Sequence, residues 1–272
     1  MKLEPGQVAV ITGAASGIGL GLAEALGGRG LGLVMADVEG PALRQAAADL
    51  EGRGVPVLAV TADVSDPAAM EALAVQTLSR FGHVDVVCNN AGVVGPWAPM
   101  WELQVSDWAW TFGVNLWGVV NGIRAFVPHL VAQGSGHVIN TASMGGLRPL
   151  PGNGPYCATK HAVVALTETL QAELDMKGSP VRATVVCPSV VATNISTSAR
   201  NRPADLGVGA APDKSLRPGA ASRKMVSPVV LQPSDVAAAI LAGVEADKLY
   251  VLPSPGSDEI LRARSERVLS QL

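Results

Sequence analysis

Tyr156-Cys157-Ala158-Thr159-Lys160 sets a phenol and an ammonium four positions apart, which on a helix means one face. A pair at that spacing is, by itself, ordinary surface decoration. Ser143 changes the reading, because it stands thirteen residues upstream of Tyr156, at the end of an apolar run. A hydroxyl, a phenol and an ammonium gathered at one edge are groups that can hold an oxygen atom and move its proton.

A second cluster lies near the start. Thr12-Gly13-Ala14-Ala15-Ser16-Gly17-Ile18-Gly19 falls between a short β-branched run and a helical stretch. Glycines there let the chain turn sharply and let a pyrophosphate approach the backbone, while the following helix offers free N–H groups and its positive end. A glycine-rich turn alone is common and proves little. Asp37 adds to it by closing the second apolar run, eighteen residues after Gly19, where a carboxylate accepts hydrogen bonds from a ribose diol. The same charge would repel a 2′-phosphate, and no Arg or Lys stands at Ala15 or Val38 to offset it, so NAD is expected over NADP. Asp63, followed by Val64, comes just after the third run, and Asn89-Asn90-Ala91-Gly92 closes the fourth. Each would also suit a polar turn. Together they collect at strand C-terminal ends, the edge where open α/β sheets bind ligands.

The elements that must position these groups follow from periodicity. Strands are expected over 7–12, 31–37, 55–62, 84–89, 137–142, 181–187 and 248–252. Helices are expected over 17–29, 41–52, 66–81, 106–133, 155–177, 234–245 and 257–272, with Ser106 and Ser234 as N-caps. The alternation, with strands apolar on both faces, predicts an α/β fold: a single-domain, Rossmann-type, doubly wound parallel sheet with helices on both faces, spanning 1–272. The exception is 189–231, rich in Ser, Pro, Ala and Gly and without a period, which is expected to be a substrate lid. The stretch 257–272 carries Leu261, Val268 and Leu269 among charges, as an amphipathic helix that docks on its own core or on a neighbour.

Composition removes other classes. The 272 residues are 48% hydrophobic and 16% charged, with a net charge of −3, which suits a large core and offers no basic face to nucleic acid. Arg200 with Arg202, and Arg223 with Lys224, read as solvated loop charges. Met1–Gly6 lacks a charged segment followed by an apolar one, and the apolar runs are too short to span a bilayer, so a cytoplasmic protein without membrane contact is expected. Cys88, Cys157 and Cys187 lack metal-ligand spacing and read as small buried thiols, with no metal site.

Taken in order, 12–19, Asp63, 89–92, Asn115, Ser143, Tyr156–Lys160 and Pro188 with Thr193 resemble the short-chain dehydrogenase/reductase family over nearly the whole chain. The resemblance implies an enzyme that interconverts a secondary alcohol and a ketone by hydride transfer to or from NAD, with NADP the other candidate. Catalytic residues would be Asn115, Ser143, Tyr156 and Lys160. Tyr156 would be the general acid/base, since a free phenol with its pKa near ~10 needs a neighbouring ammonium to serve as a base at neutral pH. Ser143 would orient the substrate oxygen, and Asn115 would hold a water in a proton relay to Lys160. The cofactor set implied is Gly13, Ser16, Gly17, Ile18, Gly19, Asp37, Asp63, Val64, Asn90, Gly92, Tyr156, Lys160 and Thr193, with Thr193 at the nicotinamide carboxamide. One departure is Pro188-Ser189, where the family has Pro-Gly; Ser disfavours positive φ.

The partner expected is a small apolar alcohol or ketone, and the family commonly assembles as homodimers or homotetramers through its equivalents of 106–133 and 155–177. All five Trp residues, at 97, 101, 108, 110 and 117, fall in one region. Trp97 is a candidate pocket wall, the rest of which should come from 144–153 and 189–231. The competing class is a dinucleotide-binding sensor or scaffold without chemistry, which would not need Ser143, Tyr156 and Lys160 together. An epimerase or enoyl reductase on the same fold fits the glycine and Tyr–Lys spacings less well.

Overall fold

The computed structural model describes residues 1–213, 215–216 and 229–272. Their sheet has seven parallel strands: β1 (Val8–Thr12), β2 (Gly32–Asp37), β3 (Val57–Thr61), β4 (Val86–Asn89), β5 (His137–Thr141), β6 (Arg182–Val186) and β7 (Tyr250–Val251). The order across it is β3-β2-β1-β4-β5-β6-β7, the Rossmann-type doubly wound arrangement. Helices α1 (Gly17–Gly27), α2 (Gly40–Glu51), α3 (Pro67–Phe81), α4 (Val105–Phe112), α5 (Gly118–Gln133), α6 (Gly154–Met176), α7 (Pro233–Glu245) and α8 (Ser257–Leu269) complete the regular structure.

The pleat explains the layering. Ala9 and Ile11 of β1 point to one side, where Leu22 and Leu26 of α1, Leu43 and Leu50 of α2 and Ile240 and Val244 of α7 bury them. Val8 and Val10 point to the other, against Met70 and Leu73 of α3, Phe126 and Leu130 of α5 and Leu170 of α6. β1 is buried along its whole length, as apolar runs on both faces require. β3 departs from that pattern. As the edge strand it buries Val57 and half-buries Leu58 and Val60, but leaves Ala59 and Thr61 exposed.

The helix spanning 106–133 in the sequence reading begins one residue earlier and is not one regular helix. Gln104, not Ser106, holds the N-cap position, where its own N–H donates to Asp107 Oδ2 at 2.9 Å. After α4 the chain makes one π-helical turn, Gly113–Trp117, in which the Gly118 N–H reaches back to the Gly113 carbonyl, and α5 then continues. The same substitution of cap occurs at α7, where Gln232 replaces Ser234 and its N–H donates to Asp235. In both helices an Asp three residues into the start satisfies an orphan amide, a signal hidden by the nearby serines. In α8, Ile260 and Leu261 pack on the core beside Tyr250, whereas Val268 and Leu269 are exposed.

α5 approaches β4 so closely that a Cβ on Gly122 would sit 1.9 Å from Asn89 Oδ1, a buried carboxamide that donates to Asn140 at 2.9 Å. Gly122→Ala should therefore force α5 outward and cost about 1–3 kcal/mol. The check is urea unfolding, where the midpoint should fall with an unchanged slope; an unmoved midpoint contradicts it.

Candidate active site

Strand order reverses between β1 and β4, whose following helices leave to opposite faces, so their C-terminal ends part and open a crevice. The glycine-rich turn forms one lip. Gly13 and Gly17 have φ of +65° and +56°, and a Cβ on Gly19 would lie 2.0 Å from the Gly13 carbonyl oxygen. Ser16 precedes α1 without a side-chain capping bond, and with Ile18 it lines the cleft. Asp37 fixes the turn to β2, its Oδ2 accepting from Ala15 N at 2.9 Å and its Oδ1 from Glu39 N at 3.0 Å. Asp63 Oδ1 accepts from both the N–H and the hydroxyl of Ser65, at 2.8 and 2.7 Å, and Val64 gives its carbonyl to Asn121 Nδ2 at 2.9 Å. Asn90 ties three strand ends together. Its N–H donates to Thr12 Oγ1 at 2.9 Å, its Nδ2 to the Thr12 carbonyl at 3.0 Å, and its Oδ1 accepts from Thr141 Oγ1 at 3.2 Å.

The other end of the cleft holds Ser143, Tyr156 and Lys160. Tyr156 and Lys160 lie in the first turns of α6, both buried. Ser143 lies two residues past the end of β5, where its Oγ accepts from Gly145 N at 3.0 Å and donates to the Pro188 carbonyl at 3.3 Å. Lys160 Nζ donates to the Thr141 carbonyl at 2.7 Å and stands 5.7 Å from the centre of the Tyr156 ring. Asn115, fully buried in the π turn, forms a two-point bond with the Val93 backbone: Oδ1 accepts from the N–H at 2.7 Å and Nδ2 donates to the carbonyl at 2.9 Å. A Cβ on Gly92 would stand 3.4 Å from Asn115 Oδ1 and 3.5 Å from Lys160 Nζ, so Gly92 lies against both the buried carboxamide and the ammonium.

Burial dominates the charges here. It pushes the Tyr156 phenol up to about 12, against the opposing hydrogen bond from Ser143, and pushes Lys160 down to about 8. Burial, and not the neighbouring ammonium, thus sets the phenol in the chain alone.

One cleft of about 400 Å³ joins the two ends, with Asp37, Asp63, Val64, Gly13, Gly17, Asn90, Gly92, Ser143, Tyr156, Lys160 and Thr193 on its walls. Gly19 packs behind the glycine turn, and Asn115 behind Gly92. Among the described residues Trp110, not Trp97, is the tryptophan of this wall, and 144–153 contributes nothing to it.

The segment after β6 is not structureless. It contains 3₁₀ helices Asn194–Asn201 and Ala204–Leu206, and Val191 bridges to Leu231; Lys214 and 217–228, which include Arg223 and Lys224, lie outside the described residues. Three ties hold it across the cleft. Ser198 Oγ accepts from Val94 N at 2.9 Å and donates to its carbonyl at 3.1 Å. Arg200 forms an ion pair with Glu39, whose Oε1 also accepts from Asn201 at 2.8 Å, and these bonds hold the Glu39 carboxyl below its usual range. Arg202 pairs with the buried Asp107 at 2.7 Å and lies over the Trp110 ring. The two arginines are therefore not solvated loop charges. Their partners lie 161 and 95 residues away, beyond any local spacing. Ser189 adopts no positive φ, and its N–H donates to Ser254 Oγ at 3.0 Å, so the serine at this position carries no backbone strain. Cys88 and Cys187 are buried as expected, while Cys157 is only half-buried.

A parallel sheet with a glycine-lined crevice, and a Ser, Tyr and Lys converging on it, defines a Rossmann-type site. Residues 7–204 match the family described as short chain dehydrogenase. The chain is 40% identical over 267 residues to 1-deoxy-11-beta-hydroxypentalenate dehydrogenase of Streptomyces arenae, covering 96% of this chain and 86% of that one. It is 33% identical to C alpha-dehydrogenase of Sphingobium sp., over 100% of this chain and 88% of that one. A crystal structure of a short-chain dehydrogenase/reductase from Burkholderia phymatum in complex with NAD superposes with a TM-score of 0.92 at 39% identity, covering 100% and 97% of the two chains. The chain belongs to the short-chain dehydrogenase/reductase family of oxidoreductases. Among the described residues, no helix is long and apolar enough to cross a membrane.

The chain has two tyrosines, and burial raises Tyr250 as well as Tyr156. At ~pH 10, where a free phenol is half ionised, the native chain without added nucleotide should give almost no tyrosinate absorbance. The urea-unfolded chain should give that of both. A half-ionised native signal would overturn the assignment.

Proposed function

We propose that the chain is an NAD-dependent dehydrogenase/reductase that interconverts a small or medium apolar secondary alcohol and its ketone. The observation that carries this reading is the single cleft joining the Asp37–Gly17 end to Ser143, Tyr156 and Lys160. The glycine turn fits a dinucleotide: Gly13, Ser16, Gly17 and Ile18 line the cleft at the N-terminus of α1, where free N–H groups would face a pyrophosphate. Asp37 would bind the adenosine ribose, with Asp63 and Val64 beside the adenine and Thr193 at the carboxamide. When bound, the dinucleotide accepts or supplies the hydride.

In the oxidation direction Ser143 and Tyr156 hold the substrate hydroxyl between them. Its proton passes to Tyr156 as the C–H bond breaks and its electron pair leaves as hydride; reduction reverses both transfers. Lys160, anchored by one donor to Thr141, has further N–H groups for the nicotinamide ribose and to stabilise phenolate. Asn115 fixes the loop after β4 and belongs to the proton relay at Lys160. The apolar substrate would lie against Trp110, Val114 and Leu206, with the 3₁₀ helices Asn194–Asn201 and Ala204–Leu206 as its lid. The Streptomyces arenae relative is named for a hydroxylated carboxylate, which agrees with alcohol chemistry. Exposed Val105 at the start of α4 and Trp117 at the end of the π turn support self-association into a homodimer or homotetramer.

The test is a panel of secondary alcohols and ketones with NAD(H) and NADP(H), read by absorbance of the reduced nicotinamide. Tyr156→Phe should lower kcat by roughly 10²–10⁴-fold with cofactor affinity retained. Undiminished turnover in that variant refutes Tyr156 as the acid/base.

A further inference from the structure

The proposed adenosine-ribose end of the cleft carries a charge arrangement that Asp37 alone does not explain. Arg200 comes from the segment after β6 and presents one edge of its guanidinium to Glu39: Nε donates to Oε2 at 3.3 Å, and Nη2 donates to Oε1. Its remaining nitrogen is held from behind, Nη1 donating to the Asn194 carbonyl at 3.2 Å and to Thr197 Oγ1 at 3.0 Å. Glu39 is in turn joined to Asp37, since its N–H donates to Asp37 Oδ1 at 3.0 Å. All three side chains line the cleft. A forked guanidinium, aimed at the ribose end and backed by two bonds independent of Glu39, has the shape that recognises a phosphate. Here the Glu39 carboxylate occupies it.

We infer that Glu39 is a second specificity-determining residue: by occupying the Arg200 fork it denies that fork to a 2′-phosphate, and so excludes NADP. The inference rests on the dinucleotide reading of the site. Asp37 contributes repulsion, whereas Glu39 takes up Arg200, the cation that lines this end of the cleft among the described residues. Replacing Glu39 with Ala leaves Arg200 held by Asn194 and Thr197 with its Nε and Nη2 donors free, and Gln leaves there only a neutral acceptor that a phosphate can displace. The ribose end would then carry an unpaired cation near the Asp37 carboxylate, in place of one already paired with Glu39.

Direct binding tests this without turnover. Calorimetry with ADP-ribose and with 2′-phospho-ADP-ribose would compare the unaltered chain, Glu39→Gln, Glu39→Ala and the double variant Glu39→Gln/Arg200→Ala. Both single variants should bind the 2′-phosphorylated ligand about tenfold tighter or more relative to ADP-ribose, the gain should shrink with added salt, and the double variant should lose it. If the unaltered chain binds ADP-ribose and neither single variant shifts the ratio, the inference fails and the dinucleotide site stands. A gain that survives removal of Arg200 also overturns it. If the unaltered chain binds neither ligand, both readings fall together. The two Glu39 variants guard against a folding defect in one, with thermal melting as the control.

Discussion

The Asn90 carboxamide is the constraint on which the ligand edge depends. A parallel sheet that opens a crevice between β1 and β4 gives up strand pairing there, and buried backbone groups left unpaired cost about 1–3 kcal/mol each. Asn90 answers this at the Thr12 carbonyl, which accepts from its Nδ2, while its own N–H finds Thr12 Oγ1 and its Oδ1 accepts from the Thr141 hydroxyl on the other side. The Thr141 carbonyl then receives Lys160, so the residue that holds the crevice open also fixes the strand end from which the ammonium is hung. The glycine turn at one lip and the α6 start at the other are thus referred to the same three strand ends.

That placement has an electrostatic cost. Lys160 and Tyr156 sit where burial favours their neutral forms, and the Thr141 carbonyl and the Ser143 hydroxyl are the polar groups that oppose it. A site of low polarity amplifies the next charge that enters, because little solvent remains to screen it. The groups are poised to respond to a ligand's charge more than to each other's.

The sheet and most of the site were legible in the sequence, because the signals were local. Strand and helix periods, the glycine turn, Asp37 at a strand end and the i,i+4 pair each occupy a few consecutive residues. The N-caps were misread because Ser106 and Ser234 stand within two residues of Gln104 and Gln232, and the choice between them is made by backbone geometry. Glu39–Arg200 and Asp107–Arg202 were illegible, since nothing near Arg200 or Arg202 in sequence points to a partner, and an aperiodic segment hides where it will land. The same blindness put Trp97 rather than Trp110 forward as the pocket wall.

The π turn at Gly113–Trp117 carries one residue more than an α-helix of that rise would hold. Removing that residue would restore regular α-helical hydrogen bonding over the same rise, so Phe126 and Leu130 would keep facing the sheet they now pack against. The extra residue is taken up locally, and what it changes is the turn from which Asn115 reaches the Val93 backbone. A one-residue deletion placed further on, in the regular part of α5, would instead turn the rest of its core face by about 100°. The wide turn is thus the one place in this long helix where the chain can change length by a residue and keep its packing.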